Sequence, residues 1–510
     1  MKLKKLLKDL KYKASQSTLS KDVTGITVDH RKVKKGDVFI ALKGSLFDGN
    51  DFVDEALERG AVAVVTDQNI DTKRVVKVDN ARSAYAIMSK HFFGDACDKM
   101  KIVGVTGTNG KTTTTKTIAD ILKTNGFKVG VIGTMGAEVG EDVEDTGMTT
   151  PDPDKLHALF KRMQESGIKY VVMETSAHAL ALNKLDGIKF EVGILTNITE
   201  DHLDFFGDME SYAKAKFMLF DKNRCKKAII CEEKCFNRQS LKDINIPVVT
   251  YGIEEEGKDK PLLSAQVMQK TFDGSLICCD CNGRKNMIKT SLVGTYNVEN
   301  LLASIGACLI LGLNMQEIKR GASCTLPVEG RFNIINMGGF NIIIDFAHTP
   351  DGLEKVLLTT RELALTKIVV VFGCGGNRDK LKRPIMGEIA SSLADEVVLT
   401  SDNPRFENPL DIIDDIKKGI KNDNVIAIAD RKTAIEYVLK NSRPHTTIII
   451  AGKGGEKYQD IDGIKYPYND FDVVKNFFIN KYKMLEKQTF EREERHQECK
   501  ENRFYGDIEL

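Results

Sequence analysis

The chain has almost no net charge: 74 basic residues stand against 73 acidic ones, leaving +1 over 510 residues. No global field draws it to nucleic acid or to a membrane surface, so partners must be read from local sites. Long hydrophobic runs are missing as well. The first stretch, Met1 to Lys13, is rich in lysine and carries no extended apolar run, which excludes a signal peptide. The greasiest helical segment, Leu301 to Leu313, is broken by Ser304 and too short to span a bilayer. No internal repeat is visible. The 11 cysteines are scattered and odd in number, which argues against a disulfide framework. One cluster, Cys278-Cys279-Asp280-Cys281, can be read with Cys231 and Cys235 as a metal site, but the spacing matches no usual zinc knuckle. Reduced thiols in a strand pair are the simpler reading. A cytoplasmic monomer without membrane insertion or nucleic-acid partner is the expectation.

What is present is a long, ordinary globular composition, 42% hydrophobic and 29% charged, with room for about three domains. In the first hundred residues, Gly36–Leu42 and Ala61–Val65 read as strands and Asp51–Arg59 as a helix; Asp95–Lys99 reads as a linker. A strand at Lys101–Thr106, a glycine loop and a helix at Lys111–Thr124 follow, then buried strands at Lys169–Glu174 and Glu191–Thr196. That alternation predicts a parallel sheet with crossover helices, running to about Gly330. Strands at Phe340–Asp345, Lys367–Phe372, Glu396–Thr400, Val425–Ile428 and Thr446–Ala451 alternate with helices and predict a second open α/β sheet of Rossmann-like type. From Lys481 to Leu510 half the residues are charged, which reads as a solvated helix or frayed tail.

The glycine loop carries the clearest chemistry. In Gly107-Thr108-Asn109-Gly110-Lys111-Thr112-Thr113, backbone N–H groups converge on phosphate and the helix adds its positive N-terminus. Lys111 would reach the β- and γ-phosphates of ATP and Thr112 would hold Mg²⁺. The spacing departs from the common P-loop: Val105 stands five before Gly110, and the glycines fall at 104 and 107. Glu174, at the end of a buried strand in Met173-Glu174-Thr175-Ser176-Ala177-His178, is placed to hold a metal over the sheet. Alone it means little; its weight comes from sharing a sheet edge with the loop. The run Thr196-Asn197-Ile198-Thr199-Glu200-Asp201-His202-Leu203-Asp204 supplies a third wall.

Taken together, TGTNGKTTTT and the segment from Asp201 to Lys216 resemble the Mur ligases, and within them the members that add the third residue of the peptidoglycan stem peptide. The resemblance covers about residues 25 to 475. It includes Leu42-Lys43-Gly44, Thr149-Thr150-Pro151, Gly330-Arg331, Asp345 to Asp351, Gly373 to Asp379 and Asp402-Asn403-Pro404-Arg405. It implies an α/β protein of three domains: an N-terminal UDP-sugar-binding domain (1–98), a central P-loop parallel-sheet ATPase domain (99–330) and a C-terminal Rossmann-like domain that takes the amino acid (331–482), with a charged tail at 483–510. It also implies an ATP-dependent amide ligase working through an acyl phosphate, with the ATP site between the central and C-terminal domains and closure excluding water.

The resemblance also implies roles. Lys111, His202, Lys216 and Arg331 match catalytic positions. Thr112, Glu174, His202 and Lys216 match the Mg²⁺ set, Lys216 as a lysine carbamate formed with carbon dioxide. Asn297 and Asp345 match further ATP contacts. His30, Ser45, Thr149, Thr150, Ser176 and Lys184 match contacts to UDP-MurNAc-L-Ala-D-Glu. Arg378, Asp402, Asn403, Pro404, Arg405, Gly452 and Glu456 match the pocket for meso-diaminopimelate. A turn at Pro404 projects Arg405, whose guanidinium fork fits the second carboxylate of that amino acid. Lysine lacks that carboxylate, which would leave Arg405 unpaired at a cost of about 1–3 kcal/mol. Three positions depart from the family pattern: His30 where Ser is usual, Leu182 where a polar residue is common, and Gly455 where His is usual. Rival readings are a lysine-adding ligase of the same family, a folylpolyglutamate synthase and a catalytically silent nucleotide-binding paralogue. Arg405 opposes the first, the N-terminal Leu42-Lys43-Gly44 module the second, and the intact Mg²⁺ set with Lys216 the third.

Overall fold

The computed structural model describes residues 1–44, 47–237, 239–256 and 260–481. Ser45 and the charged tail from 483 lie outside the described residues. The chain divides into two compact units, Met1–Leu326 and Pro327 onward.

The first unit holds two sheets. The smaller runs Tyr12–Lys13, Val75–Val78, Ala63–Thr66, Asp37–Ile40, Gly25–Thr27, and only the Tyr12–Lys13 edge is antiparallel. Its central strands are covered on both faces: Val38 and Ile40 enter one apolar cluster, Phe39 and Val64 another. That double burial is why these strands read as continuous apolar runs. The larger sheet has eleven strands, seven of them parallel, with an antiparallel pair at each edge. At its middle lies Lys101–Thr106, flanked by Tyr170–Glu174 and Val192–Leu195. Glu174 pairs with Val105, and Leu195 with Thr106. Three strand ends therefore share one edge, where ligands of open α/β sheets bind. Ile118, Ile121 and Leu122 of the helix Lys111–Thr124 pack with Leu301, Leu302 and Ile305 of the helix Thr295–Leu311 over Val103 and Val105.

Two local expectations change. Residues 95–99 are no open linker: Ala96–Lys99 form a 3-10 turn whose Ala96 and Cys97 enter the core of the large sheet, and Lys90 ties the same turn through Asp98 at 2.9 Å. The cysteine cluster sits on the strand Gly274–Cys281, which pairs antiparallel on both sides; the described cysteines are all free.

The second unit has a six-stranded sheet. An antiparallel edge, Asn333–Met337, is followed by the parallel strands Phe340–Asp345, Thr447–Ala451, Ile368–Phe372, Glu396–Leu399 and Val425–Ala427. The late strand Thr447–Ala451 inserts between the two earliest parallel ones. Asp345, Gly452, Gly373 and Asp402 thus leave the sheet at one edge. Residues 470–481 are helical, and Val473, Val474 and Phe478 close the core. Among the described residues no helix is long and apolar enough to cross a membrane.

Candidate functional site

The glycine loop is clamped from one side by the strand end that follows Leu195. Thr108 N–H donates to the Asn197 carbonyl at 2.9 Å. Asn109 N–H donates to Asn197 Oδ1 at 2.9 Å, and the Asn109 carbonyl accepts from Thr196 Oγ1 at 2.6 Å. Thr108 Oγ1 donates to the Thr199 carbonyl at 3.0 Å. Thr108 and Asn109 therefore shape the loop, while Gly110 to Thr113 open the helix, whose N-terminus is the kind of end that attracts phosphate. Gly110 has φ 86°, and a Cβ there would lie 2.3 Å from Asn300 Oδ1, so the turn requires glycine. Lys111 Nζ folds back onto the Gly107 and Thr108 carbonyls, at 2.7 and 2.8 Å.

Glu174 is buried, and its carboxylate accepts from Thr134 N–H at 2.9 Å and Thr134 Oγ1 at 3.1 Å. Since Thr134 spends its proton on Glu174, the Thr149 hydroxyl, 3.1 Å away, is the donor to Thr134. Thr150 donates to the Glu174 carbonyl and accepts from Ser176 N–H; Ser176 Oγ in turn caps the short helix Ala177–Ala181. Both hydroxyls build the strand-to-helix turn. Lys184 is paired with Asp152 at 2.7 Å. In the smaller sheet's domain, the His30 ring stacks flat on Phe52 with centroids 4.0 Å apart.

His202 and Lys216 lie within electrostatic reach of Lys111. His202 sits at φ 57°, a left-handed conformation rare outside glycine. Burial pushes its imidazole down to about 4; Asp201 opposes this, and His178, Lys111 and Lys216 add to it. The ring therefore stays neutral and able to hold a metal. Asp201 Oδ2 lies 3.4 Å from Nε2. Lys216, on the helix Met209–Phe217, is 1% exposed. Burial, then the like charge of Lys111, drives its ammonium well below the ordinary lysine range against the pull of Asp201. No carboxylate of the described residues comes within ion-pair distance of it; its Nζ lies 4.2 Å from the Tyr212 ring centroid.

Among the described residues no three His, Cys, Asp or Glu side chains converge as a metal site. The expected Mg²⁺ set has only two such members, Glu174 and His202, beside the Thr112 hydroxyl. A carbamate on Lys216 would supply the missing carboxylate, and with it these residue types would suit the ion. Asn297 is tied internally: Nδ2 donates to the Val293 carbonyl, and Oδ1 accepts from Asn300. A surface cavity of about 410 Å³ borders Lys214, Phe217 and Arg224, and none of the candidate residues lines it.

In the second unit, Asp345 is buried and accepts from the N–H groups of Phe332 and Ala347. Burial raises its carboxyl, while Arg331 and those two N–H groups pull it back. The Arg331 guanidinium lies over the Phe346 ring at 4.2 Å. Arg405, at φ 52°, is sewn to the hairpin Tyr458–Ile461/Ile464–Pro467 by backbone bonds with Asp460 and Asp462. Its Nη1 donates to the Gly376 carbonyl at 2.7 Å, and its Nε is 3.8 Å from Asp460 Oδ2. Arg378 is exposed; its stem and Arg405 flank Gly375. Asp402, Asn403 and Glu456 gather around Lys453, which is fully buried.

Sequence reasoning missed Asp201, Thr134, Tyr212 and Lys453. Asp201 and Tyr212 stand inside the segment from Asp201 to Lys216, and Lys453 lies between Gly452 and Glu456; Thr134 carries no local signal.

Three family models match along the chain: the Mur ligase family catalytic domain over residues 22–93, the Mur ligase middle domain over 105–308, and the Mur ligase glutamate ligase domain over 330–454. The chain belongs to the Mur ligase family. A UDP-N-acetylmuramoyl-L-alanyl-D-glutamate–2,6-diaminopimelate ligase of Clostridium tetani is 40% identical over 491 residues, spanning 94% of this chain and all of the relative. One of the same name from Aquifex aeolicus is 41% identical over 461 residues, 90% of this chain and 94% of the relative. A solved structure of that name matches at TM-score 0.68 and 28% identity, covering 94% of this chain and 99% of the other. A MurF ligase from Thermotoga maritima in complex with ADP shares the fold, at TM-score 0.59 and 20% identity over 86% of this chain and 95% of that one. The fold is the three-domain α/β architecture of that family.

Proposed function

We propose that this protein is the ATP-dependent ligase that joins meso-diaminopimelate to UDP-MurNAc-L-Ala-D-Glu in peptidoglycan synthesis. End-to-end similarity to ligases of that name carries the reading. The arginine at the edge of the second sheet, Arg405, accounts for the choice of amine.

The glutamyl carboxylate attacks the γ-phosphorus of ATP, ADP leaves, and the amine displaces phosphate from the acyl phosphate through a tetrahedral intermediate. Lys111 and the helix N–H groups after Gly110 counter the charge that builds on the phosphates. Arg331 is assigned to the γ-phosphate, and Asn297 and Asp345 to the nucleotide. Thr112, Glu174, His202 and the Lys216 carbamate would hold Mg²⁺, which supplies charge neutralisation at the phosphate oxygens. His30, Thr149, Thr150, Ser176 and Lys184 are assigned to the UDP substrate; for Thr150 and Ser176 the turn they build supports a role through backbone placement. Arg405, one edge of its guanidinium held by Gly376, offers the other to the distal carboxylate. Residues 1–98, 99–330 and 331–482 are assigned to the UDP substrate, ATP and the amino acid, and the site of action to the cytoplasm.

The test is steady-state phosphate release from ATP with the UDP-dipeptide and either meso-diaminopimelate or L-lysine. A kcat/KM for diaminopimelate at least a hundredfold above that for lysine is expected. Equal values would overturn the choice of amine, and no turnover with either would overturn the ligase reading.

A further inference from the structure

Asp402 and Asn403 on one segment and Glu456 on another meet at the edge of the second sheet, and one buried ammonium joins them. Lys453 Nζ lies 2.8 Å from Glu456 Oε2, 2.9 Å from Asn403 Oδ1 and 3.7 Å from Asp402 Oδ1. Its side chain is 0% exposed. A fully buried lysine is kept charged only by such partners.

The bonds divide the three partners. Asn403 Oδ1 accepts from Lys453 and from Asp460 N–H at 2.9 Å, which fills both lone pairs. Asn403 Nδ2 donates to Glu456 Oε2 at 2.9 Å. Asn403 thereby commits its carbonyl oxygen and one of its two amide hydrogens inside the protein. Glu456 gives one oxygen, Oε2, to this network and keeps Oε1. At Asp402, a Cβ on residue 452 would lie 2.6 Å from Oδ2, so glycine there keeps that oxygen uncovered. Lys453 is the one cation that both carboxylates face, at 2.8 and 3.7 Å among the described contacts.

We propose that Lys453 is the positioning residue of the amino-acid pocket: it touches no substrate, and its contacts fix Glu456 and Asp402, each with one oxygen turned to the ammonium of the incoming amino acid. The inference rests on the functional reading above.

The test uses Lys453→Met in the full-length enzyme, with KM for each of the three substrates. KM for diaminopimelate is expected to rise at least tenfold, with the values for ATP and the UDP-dipeptide within about twofold. Lys453→Arg is expected to recover part of the rise. An unchanged KM for diaminopimelate overturns the proposal. So does a uniform loss of kcat with all three KM values unmoved, which marks a purely structural lysine. Should Lys453→Met fail to fold, Asn403→Ser takes its place: it keeps the cation and cuts the latch to Glu456. A several-fold selective rise in KM for diaminopimelate supports the proposal, and no change overturns it. The wild type is assayed alongside. Failure of the wild type with diaminopimelate sinks the functional reading, whereas an active wild type with an indifferent Lys453→Met sinks this inference alone.

Discussion

Lys216 and Lys453 are both buried, one in each unit, and the protein treats them in opposite ways. Lys453 is surrounded by Glu456, Asp402 and Asn403. Lys216 has an aromatic ring beside it and the cation Lys111 nearby, and its charge is driven out. Burial alone therefore does not decide what a lysine does. One is held by hydrogen-bonding and charged partners; burial and a like charge disfavour the ammonium of the other, and the neutral amine is the form that adds carbon dioxide. On the proposed reading the two serve different halves of the reaction, phosphate activation and amine selection.

The contrast can be broken in several ways. Lys216→Ala is expected to lower kcat about 10³-fold, as for loss of one strong electrostatic group in a dry site. Formate or acetate at tens of millimolar should restore part of that by returning a carboxylate; neither should help Lys453→Ala. Lys216→Arg is expected to be as damaging as Lys216→Ala, because a guanidinium cannot become neutral. Lys453→Arg keeps the charge and should be the milder change, so equal losses in the two arginine variants would erase the distinction. Stability should separate them too. Lys453→Met strips a buried pair of its cation and is expected to cost about 3 kcal/mol, whereas Lys216→Met should change stability by under about 1 kcal/mol, both read from thermal unfolding. Arg405→Ala is expected to raise KM for diaminopimelate about tenfold to a hundredfold, with KM for ATP unmoved, from loss of a charged hydrogen bond of about 1.5–3 kcal/mol.

The smallest effect concerns His202, whose folded-state value of about 4 lies below its ordinary 6.5. The unfolded chain takes this proton first as pH falls below 6.5. The folded state's disadvantage therefore grows from there to about pH 4 and is flat beyond. His202→Asn should flatten that part of the stability profile; an unchanged profile would mean the ring is not held neutral.

The strand Lys101–Thr106, the helix Lys111–Thr124 and the strand Phe340–Asp345 were legible to the residue, because glycine punctuation and unbroken apolar runs mark their ends. The turn Ala96–Lys99 was not, since its short polar sequence hides two residues that the large sheet buries. The candidate site was legible as motifs, yet what the side chains do within them was not. Thr108, Thr150, Ser176 and Asn403 read as ligand contacts, and only the fold shows that each also bonds a neighbour distant in sequence. Lys216 and Lys453 both read as lysines, and only their surroundings in space tell a neutral amine from a paired cation.

The most direct measurement follows oxygen. UDP-MurNAc-L-Ala-D-Glu labelled with ¹⁸O in the reacting carboxylate is turned over with ATP and meso-diaminopimelate, and the released phosphate is analysed by mass. If the carboxylate attacks the γ-phosphorus and the amine then displaces phosphate, each phosphate carries one carboxylate-derived oxygen, and the product gains diaminopimelate. Phosphate without label, or label released without peptide-bond formation, would contradict the account.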